Sequence, residues 1–316
     1  MTNESEVFRF FLVGFPGLHD KFNAVLSVTF FCVYNISFCA NTIVVAVIVL
    51  KNHLHHPMYI IIASLAIADF LFDSATMPKI IARYWVGDGS IPLTACLLQM
   101  FIVHTLNSVD SLTFTLMAID RLFAICKPLH YSSIITNQRT TASCLLAWAI
   151  GAAAGLTLMT WAIPLPFCGP NRVKTFYCSI GQVSYLACAD TSQIRKNGFY
   201  FGILMHVGPM PVIACSYVII IINVCAKNHL GNWHKLLHTC ITHWFAMVLF
   251  FLPRIVDYGL QTQVINDADL MALVICLYSY VPRMCNPIIF CLRTAEIKRT
   301  LRHITKRKTW LGKTDV

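Results

Sequence analysis

Long apolar runs separated by short polar segments dominate the chain, and seven of these runs are long enough to cross a bilayer as helices. About 20 predominantly apolar residues span a hydrocarbon core in helical form. The segments between the runs leave no room for a separate soluble domain. We therefore predict an all-α membrane protein, a seven-transmembrane helix bundle. The predicted spans are residues 23–50, 58–84, 95–125, 140–163, 198–226, 236–260 and 270–292.

The composition agrees with this pattern. Hydrophobic residues make up 57% of the sequence and charged residues only 12%, and the mean hydropathy is +0.65. Soluble domains carry about 25% charged residues, so an ordinary soluble protein is excluded. The sequence contains no glycine-rich phosphate loop, CxxC pair or nucleophile elbow, and we expect no enzymatic activity.

The positive charges predict how the chain lies in the membrane. The net charge is +10, and eight lysines and arginines follow Cys291 against two acids. The positive-inside rule places this end in the cytoplasm and the N-terminus outside. The predicted organisation is an outer segment 1–22, a membrane domain 23–292 and a basic tail 293–316. Within the tail, residues 294–303 are typical of an amphipathic helix on membrane lipids, and we expect no nucleic-acid binding.

The predicted outer side carries a sequon and cysteines. Asn3-Glu4-Ser5 matches the glycosylation pattern, so we predict a glycan on Asn3. An even number of cysteines in an oxidising compartment predicts two disulfides, and four cysteines allow three pairings. A bridge from the third span would hold the long outer loop over the helix bundle as a lid. The four outer cysteines are Cys96, Cys168, Cys178 and Cys188.

Several short motifs occur in a specific order along the chain. They are PMY at 57–59, SLAIAD at 64–69, MAIDR at 117–121, AICKPLHY at 124–131, KLLHTC at 235–240, NPIIF at 286–290 and RTAEI at 293–297. Each motif alone is weak, but together, over residues 11–301, they resemble the signature of the olfactory receptors. FPGL at 15–18 and the long outer loop resemble the class I branch of that family.

The resemblance implies a rhodopsin-like G-protein-coupled receptor in the plasma membrane. Such a receptor binds a small odorant, activates a stimulatory heterotrimeric G protein and raises cyclic AMP. The resemblance also implies the bridges Cys96–Cys178 and Cys168–Cys188. Two positions depart from the family pattern, because Leu122 and Phe290 replace tyrosines. Losing both hydroxyls would remove a polar link between helices in the active state.

The signalling motifs have a physical interpretation. Arg121 stays charged and lies beside Asp120 at the inner end of the third span, so the pair can hold the inner helix ends closed. An arginine that reaches headgroup water with an incidental neighbour is the simpler alternative. Pro287 should kink the seventh span, and Asn286 can bond a carbonyl that the proline frees.

Charges inside the spans need a partner or a function. Asp69, Asp110 and Arg283 are expected at similar depths. In the receptor class that the chain resembles, two acids at the positions of Asp69 and Asp110 suggest a bound sodium ion. Arg283 can instead bridge both carboxylates, and we hypothesise an Asp69–Arg283–Asp110 triad that competes with sodium. Its residual charge of about −1 still allows a proton or a weakly held cation. Alternatively, Arg283 points elsewhere and sodium binds normally.

The ligand pocket is expected between the outer halves of the third, fifth, sixth and seventh spans, below the outer loop. His104, Asn107 and Ser108 share a face of the third span at three- and four-residue spacing. By resemblance to class I, His104 falls on a pocket position, whereas a structural hydrogen bond to the fourth span or the loop is the alternative. Gln182 in the loop is a further candidate.

The sixth span offers a second set of candidates, because Arg254, Tyr258 and Thr262 lie four residues apart on one face. Some class I receptors for small carboxylic acids place an arginine where this chain has Thr262, so that anion anchor is missing. Arg254 can replace it from two turns deeper, which would favour an anionic odorant. Alternatively, Arg254 pairs with Asp257 and reaches outer water.

Two other functions fit parts of the sequence. A transporter or channel could use Asp69, Asp110 and Arg283 as an ion path. Such proteins often contain inverted repeats, whereas the two halves here differ in motifs and loop lengths. A chemoreceptor of the same family that works outside the olfactory system is a further alternative.

Overall fold

The apolar runs fold into long helices. The structure is a computed structural model and describes residues 8–168, 171–226, 233–262 and 267–293. Asn3 and the predicted amphipathic helix at 294–303 lie outside these ranges. The long helices in the described ranges are α1 Asn23–Leu50, α2 Pro57–Val86, α3 Leu93–Cys126, α4 Asn137–Ala162, α5 Ser192–His206, α6 Met210–Ala226, α7 Trp233–Thr262 and α8 Ala268–Arg293.

Five of the described helical segments are long and apolar enough to cross a membrane. They are Asp20–Leu50, Pro57–Val86, Asn137–Ala162, Ser192–Ala226 and Ala268–Phe290. Helices α3 and α7 have 34 and 30 residues, so both are also long enough to span. Polar and charged positions interrupt their apolar sequences, in keeping with their places among the buried polar groups.

The predicted fifth span is not one continuous helix. It consists of α5 and α6, which are separated at Val207–Pro209. Pro209 cannot donate a backbone hydrogen bond, so the regular helical hydrogen bonds of α5 stop before it. The amides of Val207 and Gly208 both bond the carbonyl of Ile203. The carbonyl of His206 accepts instead from the Ser111 hydroxyl at 2.9 Å, which fixes the break against α3.

Local chemistry explains several helix ends. Pro57 occupies the first position of α2, where a missing N–H costs nothing. Gly87 ends α2 with a positive φ of 77°, the conformation that favours glycine after a helix. Thr136 caps α4 by accepting from the Arg139 amide. Asp267 caps α8 by accepting from the amides of Asp269 and Leu270.

Helices α3 and α4 approach each other closely because α4 carries glycine at the contact. A Cβ on Gly155 would lie 2.6 Å from the carbonyl oxygen of Phe101, and a Cβ on Gly151 would lie 2.8 Å from that of Thr105. Neither distance is sterically allowed, so only glycine permits this packing. Helix α3 also contacts α2 and α6 and is therefore central in the bundle.

A small sheet forms on the side of the N-terminal segment, and the apolar pattern did not predict it. Its strands are β1 Arg9–Leu12, β2 Ser90–Pro92 and β3 Arg172–Val173, in the order β2-β1-β3. Strand β1 pairs antiparallel with β2 and parallel with β3. The buried side chains of Phe10 and Leu12 pack below the sheet with Cys96 and Cys178. The N-terminal segment is therefore part of the lid.

Both bridges that the resemblance implied are present in the structure. Cys96 at the start of α3 is bonded to Cys178, with Cα atoms 5.5 Å apart, and Cys168 is bonded to Cys188, with Cα atoms 5.8 Å apart. Gln99 adds a further link, because its amide group accepts from the Cys178 amide and donates to the Ala75 carbonyl of α2. The outer loop is thus fixed to both α2 and α3.

Candidate functional site

The most unusual region of the molecule is a group of charged side chains buried between the helices. Arg283 on α8 is 1% exposed and donates from Nη2 to Asp110 Oδ2 at 2.5 Å. Its Nε lies 3.6 Å from Oδ1 of Asp69, so the guanidinium forms ion pairs with both acids. The guanidinium carbon of Arg283 also lies 3.6 Å from the Phe72 ring centroid. Arg283 therefore faces the bundle interior and not the lipid.

A third carboxylate, Asp73, belongs to the same region and was not predicted. It lies one helical turn beyond Asp69 on α2 and is 1% exposed. Its Oδ2 accepts from the Ser37 hydroxyl of α1 at 2.5 Å. The signal was present in the sequence, since an acid four residues after another intramembrane acid shares its helix face.

Pro287 on α8 contributes to this region through the backbone. Pro287 has no amide hydrogen, so the carbonyl of Arg283 loses its helical donor. Asn41 Nδ2 and the Ser37 hydroxyl donate to this carbonyl at 3.3 and 3.5 Å. Asn286, which we expected to bond the freed carbonyl, instead donates to Asp69 Oδ2 at 3.1 Å. The prediction for Asn286 was therefore wrong in its partner, because α1 supplies the donors.

Asn107 on α3 connects the two buried arginines. Its Oδ1 accepts from Nη2 of Arg254 at 2.8 Å and from Nη2 of Arg283 at 2.9 Å. Two cations sharing one neutral oxygen is an expensive arrangement, because like charges repel strongly in a low-dielectric interior. The carboxylates beside Arg283 offset its charge. Arg254 has no ion pair among the described residues.

The expected pairing of Arg254 with Asp257 is not found. Arg254 is 2% exposed and lies between the rings of Phe250 and Tyr278, with its guanidinium carbon 4.6 and 4.9 Å from their centroids. Asp257 instead accepts from the Gln261 side chain at 2.9 Å. The alternative in which Arg254 reaches outer water is therefore wrong. Stacking on two aromatic faces turns the guanidinium inward.

Two histidines and a tyrosine line the outer side of this polar region. The rings of His104 and His206 are nearly parallel, with centroids 6.4 Å apart. Tyr258 is hydrogen-bonded to Nδ1 of His206 at 2.8 Å. Nε2 of His104 accepts from the Ile180 amide of the outer loop at 3.5 Å, whereas its Nδ1 has no partner in the described chain. His206 was missed because a lone histidine in an apolar run gives no sequence signal of the direction in which it points.

The side chains of the remaining pocket candidates form no hydrogen bond to this group among the described residues. The Ser108 hydroxyl donates to the His104 carbonyl, so it is occupied within its own helix. Thr262 is exposed and bonds the Gly259 carbonyl at the end of α7. Gln182 is half-buried in the outer loop. Helix α7 therefore brings Arg254 and Tyr258 to the interior, whereas Thr262 lies too far along the helix.

At the opposite end of α3, Asp120 has two partners. Arg121 Nε lies 3.9 Å from Oδ2, and the Tyr131 hydroxyl donates to Oδ1 at 2.6 Å. Burial and the bond to Asp120 raise the pKa of Tyr131, which keeps the phenol protonated as a donor. Leu122 and Phe290 pack in the inner apolar core, the positions where the family pattern has tyrosine. The Tyr131 contact was not predicted.

Known proteins resemble this chain over nearly its whole length. A family model described as "Olfactory receptor" matches residues 30–308. Human "Olfactory receptor 4K2" is 31% identical over 309 residues, which is 96% of each chain. Mouse "Olfactory receptor 10D1B" is 33% identical over 302 residues, covering 95% of this chain and 96% of the relative. Human "Olfactory receptor 6B1" is 29% identical over 96% of each chain.

Proposed function

Since this chain belongs to the olfactory receptor family, we propose that it binds a small odorant between the outer halves of α3, α5, α7 and α8. The observation that carries this proposal is the buried polar group beneath the disulfide-bonded lid. Asn107 on α3 bonds Arg254 on α7, and His104 on α3 and Tyr258 on α7 both lie against His206 of α5. Convergent polar groups in a largely apolar surrounding are typical of small-molecule sites.

The signalling half of the proposal concerns the opposite end of the bundle. We propose seven membrane crossings, in which α5 and α6 form one, with the N-terminus outside and the plasma membrane as the location. Ligand binding would shift the bundle toward a state in which Arg121 leaves Asp120 and contacts a stimulatory heterotrimeric G protein. The cell would then accumulate cyclic AMP, and the protein acts as a receptor and not as an enzyme. The class I assignment stays a prediction.

We also propose that Arg283, and not a sodium ion, supplies the main counter-charge to Asp69 and Asp110. Within the described part of the chain, each acid has an oxygen without a hydrogen-bond partner, and so does Asp73, which would suit a hard cation. Yet the guanidinium already forms ion pairs with both acids that sodium would bridge. A cation on the remaining oxygens would meet the positive charge of Arg283 and be held weakly.

The proposed function is tested by cyclic AMP in transfected cells that receive a panel of small acids, amines and neutral odorants. Surface expression is measured in parallel. We expect a response to some members of the panel that disappears in cells lacking the stimulatory Gα subunit. A ligand-evoked current that persists without G protein would contradict the receptor function and favour the transporter or channel. Arg121→Ala provides the matched variant, with ligand binding retained and signalling lost.

A further inference from the structure

Arg254 is a buried cation that forms no ion pair within 4.0 Å among the described residues, and the acids Asp110 and Asp257 act on its charge only from a greater distance. It differs in this from Arg283, which is equally buried but has ion pairs to Asp69 and Asp110. The hydrogen-bond partner of Arg254 is the neutral amide oxygen of Asn107. A charge that has no close counter-ion in a low-dielectric interior is costly, even when acids lie further away. An anion that enters this site would recover part of that cost.

The free part of the guanidinium has the geometry that a carboxylate requires. Nε of Arg254 is buried and has no hydrogen-bond partner among the described residues. The neighbouring Nη2 is held at 2.8 Å by Asn107 Oδ1. Nε–H and Nη2–H form one edge of the fork, and two parallel N–H bonds from such an edge match the two oxygens of a carboxylate.

The surroundings are suited to an organic acid and not to a hydrated ion. The faces of the guanidinium are covered by Phe250 and Tyr278. His104 supplies a ring nitrogen, Nδ1, that has no partner in the described chain, and its ring stacks on His206, which is hydrogen-bonded to Tyr258. Aromatic rings offer apolar contact to a hydrocarbon group, while the polar groups are too few to replace a full hydration shell.

We propose that Arg254 binds the carboxylate of a small organic acid through Nε and Nη2. The carboxylate takes Nη2 from Asn107 Oδ1, and Asn107 keeps its bond to Arg283. This deepens the proposed function and rests on it for the claim that the bound acid is an odorant. The consequence is that ligand binding breaks the hydrogen-bonded link through Asn107 between the two buried arginines.

The test uses the purified full-length receptor in lipid nanodiscs and measures its unfolding temperature with pentanoate or nonanoate. Each acid is compared with its own primary amide, which has the same shape and no charge. We expect the acids to raise the unfolding temperature and the amides to have little effect, because only a ligand that binds the folded state stabilises it. Equal effects of acid and amide, or stabilisation by chloride alone, would overturn the proposal.

Variants then assign the site. In Arg254→Gln, the affinity for the acid should fall by about 30- to 100-fold, the value of a bidentate charged pair. Arg254→Lys keeps the charge and loses the fork, so it should bind with intermediate affinity. Arg195→Gln removes a cation that stacks on Tyr185 in the outer region and should bind like wild type. Equal loss in Arg195→Gln would show a general charge effect and contradict the proposal.

The displacement of Asn107 has a separate expected result. Asn107→Ala and Asn107→Ser remove the competitor for Nη2, so acid affinity should rise by about three- to tenfold. A fall in affinity in both variants would overturn the displacement. Isotope-edited infrared spectra of carboxyl-labelled nonanoate on the wild type keep the test independent of variant folding. A bound carboxylate band is expected, and an unshifted band would refute a bidentate pair.

Failure of the inference and failure of the proposed function are distinguishable. Acid binding without any cyclic AMP response would retain the Arg254 site and reject the odorant receptor. Cyclic AMP responses to neutral odorants, with no acid binding, would retain the receptor and reject the site.

Discussion

The Tyr131 hydroxyl lies 2.6 Å from Oδ1 of Asp120 and donates a hydrogen bond to it. This bond is much shorter than the 3.9 Å from Asp120 to Nε of its sequence neighbour Arg121. The sequence predicted the Asp120–Arg121 pair as the lock at the inner end of α3. The structure gives Asp120 a closer partner in the short helix Tyr131–Ile134 that follows. Tyr131 therefore holds Asp120 in the described state.

Tyr131→Phe should raise basal cyclic AMP. The variant removes one hydrogen bond to a buried charged group, a loss of about 1.5–3 kcal/mol at most, so the active population should rise severalfold. The measurement is cyclic AMP without ligand, normalised to surface receptor. Tyr200→Phe, at an exposed position of α5, is the control. Basal activity at the control level in Tyr131→Phe would show that the bond does not restrain signalling.

Arg283→Ala should make the receptor sensitive to sodium. In the wild type, ligand potency should change less than about twofold when choline replaces sodium, because Arg283 supplies the counter-charge. Without the guanidinium, Asp69 and Asp110 need another cation, and sodium should then shift potency by about tenfold. Cyclic AMP dose–response curves in both salts provide the measurement. Strong sodium dependence of the wild type would refute the role of Arg283.

Gly155→Leu should destabilise the contact between α3 and α4. Even a Cβ at this position lies 2.6 Å from the Phe101 carbonyl, so the helices must separate. Overpacking of this kind costs about 1–3 kcal/mol, which should lower the unfolding temperature and the amount of receptor at the surface. Ala153→Leu, two residues away on the exposed side of α4, is the matched control. Equal behaviour of the two variants would contradict the packing argument.

Asp269→Ala should loosen the N-terminal segment from α8. Both carboxylate oxygens of Asp269 accept from the Gly17 amide, at 3.0 and 3.1 Å. Removing the acceptor should speed hydrogen exchange of that amide by about tenfold. Asp190→Ala removes an acid that bonds only its own turn, around Ser192, and should leave Gly17 unchanged. Slow exchange in Asp269→Ala would show that other contacts hold the segment.

The sequence predicted the long helices well because their signal is local. Apolar length sets the spans, and Pro57, Gly87 and Asp267 mark ends through chemistry within one turn. The break at Val207–Pro209 was missed because the apolar run continues across it. The hydrophobicity of a run indicates that it is buried in lipid or protein. Whether the run forms one helix or two depends on its backbone hydrogen bonds, and these stop where a donor is absent.

The candidate site was predicted only in part. The sequence placed Asp69, Asp110 and Arg283 at one depth, because charges are rare inside spans. It could not show that Asn107 joins Arg254 to Arg283, since that contact depends on how α3, α7 and α8 rotate about their axes. Such rotations follow from packing over the whole bundle. The same limit explains why Thr262, on the predicted face of α7, does not reach the site.

The small sheet has a consequence for how the protein is made. The side chain of Asn171 bonds the carbonyl of Arg9, 162 positions earlier in the chain. At about 5–20 residues per second, strand β1 is synthesised roughly 8–30 s before its parallel partner. Throughout this interval the edge of β1 lacks β3 and is open to pairing with other strands. Substitutions in Arg9–Leu12 should therefore appear as defects in delivery to the cell surface, although they lie far from the charged interior.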